Sequence, residues 1–126
     1  MRQSSFIKAA SWLEIIVGAA LMLSVSLLSR LLFASAPESV GGPLGRVAVI
    51  AIVALGIASL RSTEVGLRGR AALGLLIYNA GVAIFFAWVA VATMFRGVLL
   101  WPAVILHTVI AGTATALICF FPWEYR

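Results

Sequence analysis

Residues 71–95 read AALGLLIYNAGVAIFFAWVAVATMF, a stretch with no Asp, Glu, Lys, Arg, Gly-Pro pair or proline and with a single side-chain amide at Asn79. An α-helix needs roughly 20 predominantly apolar residues to cross the hydrocarbon core of a bilayer, so this stretch alone places the chain among membrane-spanning proteins. Working outward, three more apolar runs appear at about 6–33, 43–60 and 99–121, divided by short polar breaks. The expected fold is all-α: an integral membrane four-helix transmembrane bundle, antiparallel and up-down, in a single domain with both termini on the same side.

Composition agrees. The chain is 63% hydrophobic and 10% charged, with a mean hydropathy of +1.15. A soluble domain carries about 25% charged residues, too many more than this chain to leave a water-facing surface possible. The net charge of +5 comes from basic residues scattered singly at helix ends. No Lys/Arg cluster interleaved with aromatics suggests nucleic acid, so the expected partners are the lipid bilayer and other membrane subunits or a second copy of the chain. Cys119 is the only cysteine, which excludes an intrachain disulfide and a thiolate zinc site. No cofactor or metal is expected, and no nucleophile triad, phosphate loop or metallohydrolase motif points to an enzyme.

The start of the chain imitates a secretory signal: Arg2 and Lys8 flank an apolar run, and Ala34-Ser35-Ala36 resembles a cleavage site. The run is far longer than a 7–15-residue signal core, and Pro37 would follow the cut. A retained helix is expected. Lys and Arg counts give orientation. Arg2, Lys8, Arg61, Arg68, Arg70 and Arg126 fall on one side, and Arg30, Arg46 and Arg96 on the other. That asymmetry predicts cytoplasmic termini in a bacterial inner membrane.

The breaks are SAPESVGGP (35–43), with Pro43 suited to a helix's first turn, the basic segment 61–70, and Arg96-Gly97. Trp101 at one boundary, and Trp123 and Tyr125 at the other, fit interfacial belts. Membrane helices pack through small residues. The stripes Ala72/Ala80/Ala83/Ala87/Ala90, Thr108/Gly112/Ala116 and Ser11/Gly18/Ser29, with a weaker seam at Ala51/Ala58, are the expected interfaces.

Any chemistry lies in the few polar residues inside the spans, which by default face the bundle interior with a partner. Helical spacing puts Glu14 near the Ser11/Gly18 face, where it is either a proton- or cation-coupling carboxylate or a headgroup-level side chain paired with Lys8 or Arg70. Asn79 lies on the alanine stripe at similar depth, so Glu14 and Asn79 are expected in one polar layer with Tyr78 and Thr113 or Thr115. That layer serves either as a ligand site or as interhelical glue. His107 shares a face with Ala103, Ala111 and Ala114. It is a hydrogen-bonded bundle histidine or, across a dimer, a haem or quinone ligand. Arg46, beside Ile50, Val53 and Ile57, is expected at the headgroups.

The run Ala10-Ser-Trp-Leu-Glu14-Ile-Ile-Val-Gly18-Ala-Ala-Leu-Met22 resembles the first helix of small multidrug resistance exporters. That likeness implies a proton- and drug-binding role for Glu14 and is confined to the first helix. The same segment also resembles the first helix of DoxX-like proteins. Leu44-Gly45-Arg46, Ala54-Leu55-Gly56-Ile57-Ala58, Tyr78-Asn79 and Leu100-Trp-Pro-Ala-Val-Ile-Leu-His107 extend a broader resemblance to small uncharacterised bacterial four-helix membrane proteins, which implies the fold and no activity. Three functions are expected from these features. The first is an accessory or scaffold subunit of a larger membrane complex. The second is a small oligomeric proton- or cation-coupled transporter using Glu14, and the third a haem or quinone anchor using His107.

Overall fold

The computed structural model describes residues 3–36, 41–61 and 65–120. Five helices succeed one another: α1 (Gln3–Leu23), α2 (Val25–Phe33), α3 (Gly41–Leu60), α4 (Val65–Ala92) and α5 (Leu100–Phe120). The described residues contain no strand. Three helices contain stretches long and apolar enough to cross a membrane, at Ser4–Leu23, Gly69–Ala92 and Leu100–Phe120, while α3 carries a shorter apolar run at Gly45–Leu60. Residues 121–126, with Trp123 and Tyr125, lie outside the described residues.

The single helix expected over 6–33 is two helices. Ser24 leaves the helical region with φ −157° and ψ 83°, and its hydroxyl accepts a hydrogen bond from the Leu27 amide at 3.2 Å. A serine hydroxyl competes with the backbone for its own neighbours' N–H groups, and here it serves as an N-cap. The backbone ladder is nevertheless kept across the break, with Ser24 N–H donating to Ala20 O and Leu28 N–H to Ser24 O. At its other end α2 closes on Ala34, a non-glycine residue at φ 53°, whose N–H donates to Arg30 O at 2.8 Å. The expected loop at 61–70 is also corrected. Helix α4 starts at Val65, and nothing in the sequence from Val65 to Arg70 forbids a helix.

Helix α4 ends three residues earlier than its apolar pattern, at Ala92. Thr93 turns its hydroxyl back onto Val89 O (2.7 Å) and accepts the Phe95 amide (3.2 Å). The Arg96 guanidinium donates to the carbonyls of Ala90, Thr93 and Phe95, each at 2.9 Å. These are carbonyls that the end of a helix leaves without partners, and a cation there also suits the helix dipole.

The helices pack in two close pairs, α1 with α3 and α4 with α5, which touch each other much less. Close approach explains the first pair. A Cβ on Gly56 would lie 2.9 Å from the Ser11 carbonyl oxygen and 2.8 Å from an Ile15 side-chain atom, and one on Gly18 2.6 Å from Val53. In the second pair Ala72, Ala83 and Ala90 of α4 are buried, as are Ala111 and Ala114 of α5. The Thr108/Gly112/Ala116 ridge, expected as an interface, departs from that expectation. Thr108 and Gly112 are exposed, and a Cβ on Gly112 would meet nothing within 4 Å. The inward face of α5 is set instead by Leu100, Ile110, Ala111, Ala114 and Leu117. Ala51 and Ala58 are likewise exposed, and Val49, Gly56 and Ser59 are the buried positions of α3.

Two apolar clusters lie at opposite ends; the first joins the two pairs, and the second joins α2 to the α4/α5 pair. One gathers Phe6, Ile7 and Ala10 of α1, Ala71 and Leu75 of α4, and Ile110, Ala114 and Leu117 of α5. The other gathers Val89, Ala90 and Leu100 with Phe33 and Phe86 packed against them. Phe33 sits edge-on to both Phe86 (6.0 Å between centroids) and Phe95 (5.8 Å). At this second end the Leu99 amide donates to Leu31 O at 2.9 Å. Gly97 lies directly on the Leu31–Leu32 backbone with no room for a side chain.

Two substitutions test these constraints by thermal unfolding of the detergent-solubilised protein. Ala34→Gly removes the left-handed strain and is expected to stabilise by about 1 kcal/mol. Gly97→Ala forces the 93–99 segment off α2 and is expected to destabilise by about 1–3 kcal/mol. Equal melting temperatures for wild type and both variants would contradict this account of the α2 ends.

Candidate functional site

Glu14 lies eleven residues along α1, about 16 Å from its start at 1.5 Å per residue. It is 2% exposed. Lys8 and Arg70, its alternative partners in the sequence, both lie exposed at the surface. The carboxylate turns instead towards α4, where Asn79 Nδ2 donates to Glu14 Oε1 at 3.0 Å. The second hydrogen of the same amide nitrogen goes to Leu75 O at 2.9 Å. Asn79 Oδ1 then meets His107 Nδ1 of α5 at 2.6 Å. Asn79 is fully buried, and every polar atom of its side chain is engaged.

This geometry fixes hydrogen placement. With Nδ2 donating on one side, Oδ1 can only accept on the other, so His107 Nδ1 carries a hydrogen. The imidazole plane is held from two sides, by Tyr78 (82° to it, centroids 6.1 Å apart) and by Phe86 (69°, 6.1 Å). Of the polar atoms of Glu14, Tyr78, Asn79 and His107, those without a hydrogen-bond partner among the described residues are Oε2 of Glu14, the Tyr78 hydroxyl and Nε2 of His107.

Glu14 and His107 line a half-open cavity of about 1340 Å³ to which all five helices contribute, as does Tyr78, and whose outer lining includes the exposed Phe85 and Trp88. Its walls are otherwise almost wholly aliphatic and aromatic, and no Lys or Arg is among the residues described along them. Its lining runs from Leu13 and Leu55 beside the first apolar cluster to Phe33, Phe86 and Val89 of the second. Gly81, two residues beyond Asn79, forms part of the wall, and a Cβ there would meet nothing within 4 Å.

Glu14, Asn79, Tyr78 and His107, singled out by helical spacing, therefore converge. Thr113 does not join them. Its hydroxyl bonds Val109 O of its own helix at 2.8 Å, and Thr115 bonds Ala111 O at 2.9 Å, the usual back-bonding of a helical threonine. Arg46 is exposed on α3 beside Ile50 (58% exposed) and Ile57 (46%), while Trp101 is 54% exposed at the start of α5. Spacing alone gave no sign of the cavity or of Gly81 within it; it did place Ser11 on the inward face of α1, where its buried hydroxyl has no partner among the described residues. Compared with protein families, curated proteins and solved structures, the chain matches none.

Removing the bridge is expected to be costly. Asn79→Leu strands a buried carboxylate oxygen and a ring N–H, each a loss of about 1–3 kcal/mol. Thr113→Val removes only a hydroxyl that bonds its own helix and should stay within about 0.5 kcal/mol of wild type. Fluorescence-detected size-exclusion after a heating series separates the two. Loss of the folded peak at the same temperature in both variants would mean that the bridge does not hold the helix pairs together.

Proposed function

We propose that this chain is a small integral membrane carrier that admits a membrane-soluble compound to its central cavity and exchanges a proton at Glu14. The observation that supports this most is the carboxylate itself. It sits eleven residues into a helix long and apolar enough to cross a membrane, is held through one oxygen by Asn79, and lines a large, mostly apolar cleft together with His107. Ionisable groups at such depth are expensive and mark ion and substrate pathways. Interhelical glue requires only Asn79 and a carbonyl, without a carboxylate, an imidazole and a void beside them.

In this reading α1 and α2 together make one kinked crossing, and α3, α4 and α5 make three more in up-down order. Both termini then lie in the cytoplasm of a bacterium, as the six-to-three excess of Lys and Arg suggests. The proton path runs between Oε2 of Glu14 and Nε2 of His107, the two titratable atoms that Asn79 leaves unengaged.

A second reading, a subunit that assembles with a larger membrane complex or with copies of itself, draws on one specific observation. The Thr108/Gly112 part of the small-residue ridge on α5 is exposed, whereas the alanine stripe of α4 is used inside the chain. A haem anchor draws less support: Asn79 accepting from Nδ1 leaves Nε2 able to ligate, but Tyr78 and Phe86 pack against the ring and the chain has one histidine, so a second axial imidazole would have to come from another chain.

Proteoliposomes loaded with a pH-sensitive dye test the carrier reading. Wild-type protein reconstituted with a lipid extract of its own host is expected to admit protons under an imposed potential. Glu14→Gln should fall to the protein-free rate while its elution profile is unchanged. An undiminished flux in Glu14→Gln removes Glu14 as the coupling group. Co-purification of a stoichiometric larger subunit, with no flux in the isolated chain, would favour the assembly reading instead.

A further inference from the structure

We infer that the cavity binds a neutral long-chain lipid bearing a single hydroxyl head, which docks between Glu14 Oε2 and His107 Nε2. This rests on the reading of the cavity as a ligand site and goes further by naming the ligand's chemistry.

The argument begins with which atoms are left. Asn79 takes one carboxylate oxygen of Glu14 and one ring nitrogen of His107. Each residue then presents one free atom, and both line the same cavity. The number of protons these two atoms share decides what they recognise. With none, both are acceptors and the pair carries one negative charge, the state suited to an ammonium. With two, both are donors and the pair carries one positive charge, the state suited to a carboxylate or a ketone. With one, the pair is neutral overall and offers one donor and one acceptor.

The surroundings select the neutral state. The described wall holds no Lys, Arg or second carboxylate to balance a net charge, and an unbalanced charge is strongly disfavoured at this depth. A hydroxyl is the head group that both donates and accepts from one atom. It therefore satisfies the pair whether the shared proton sits on Glu14 or on His107, donating to whichever atom lacks it and accepting from the other. The match survives movement of the proton, which a fixed donor or a fixed acceptor does not allow.

Size and lining supply the rest. The cavity, about 1340 Å³, exceeds the 300–1,000 Å³ usual for drug-sized ligands. Its aliphatic and aromatic walls suit a long hydrocarbon body. A phosphate-headed lipid is disfavoured, since its head would meet Glu14 without a compensating Lys or Arg among the described wall residues.

The test uses the full chain, delipidated in mild detergent, with three probes of one chain length: 1-hexadecanol, hexadecyltrimethylammonium and palmitate. Occupancy is read by native mass spectrometry in pairwise competition. Hexadecanol is expected to win by about tenfold or more in apparent affinity. Glu14→Ala should erase that preference. Gly81→Leu, which puts a side chain into the cavity without touching the polar residues, should lower binding of all three and keep the elution profile of wild type. A win for either charged probe overturns the hydroxyl assignment and leaves the cavity a ligand site. Equal occupancy in Gly81→Leu and wild type, or no probe bound at all, overturns both.

Discussion

The structure depends on one saturated amide. The α1/α3 pair and the α4/α5 pair touch each other little, and the Asn79 side chain reaches both, donating to Glu14 of α1 and accepting from His107 of α5. In lipid there is no hydrophobic gain from bringing apolar helices together, since acyl chains are as apolar as leucine. Association rests on close packing and on polar contacts. Interhelical hydrogen bonds in membranes average about 0.6 kcal/mol and reach about 2. The larger quantity is the penalty for leaving Glu14 or His107 without Asn79, and that penalty makes the three-helix register specific.

Packing elsewhere is arranged so that this contact can form beside a void. The α1/α3 pair closes through glycines whose missing side chains let Ser11 and Val53 approach, while alanines close the α4/α5 pair. The pairs then meet through one cluster around Leu75, and another around Leu100 joins α2 to α4 and α5. Between the clusters, α2 forms part of the cavity wall and has no buried residue. It is set off from α1 by the Ser24 cap and held at its far end by the Leu31–Leu99 hydrogen bond and the Phe33 edge contacts. A wall attached mainly at its two ends is the element most readily displaced, because local opening is easiest where few buried contacts must break.

Much of this was legible in the chain. Apolar run length marked the membrane-crossing helices, and the 100° spacing of Ala72, Ala83 and Ala90 identified the inward face of α4 that carries Asn79. Ala103, Ala111 and Ala114 did the same for His107. Helical spacing failed where small residues lay on more than one face of a helix. On α5, Thr108/Gly112 looked as good a seam as Ala111/Ala114, and only the position of α4 distinguishes them. The Ser24 break was hidden because serine is tolerated inside a helix as well as at its cap, and no proline or glycine stands beside it to force the second role. The cavity was invisible for a further reason. A void is a property of how pairs diverge, and no single helix records it.

Glu14 is the residue that bundle stability alone does not explain. Replacing a buried ionisable group by an apolar one of similar size is often neutral or stabilising in a packed interior, and helix α1 already has Gly18 and Ser11 to fix its approach to α3. Here the carboxylate is buried, given one partner through one oxygen, and set on the wall of a cavity that it shares with the chain's only histidine. Two titratable groups joined through an amide that cannot itself titrate are coupled in position and independent in their free atoms. That arrangement lets a proton or a hydroxyl be handled at Oε2 and Nε2 while Asn79 keeps α1, α4 and α5 in register.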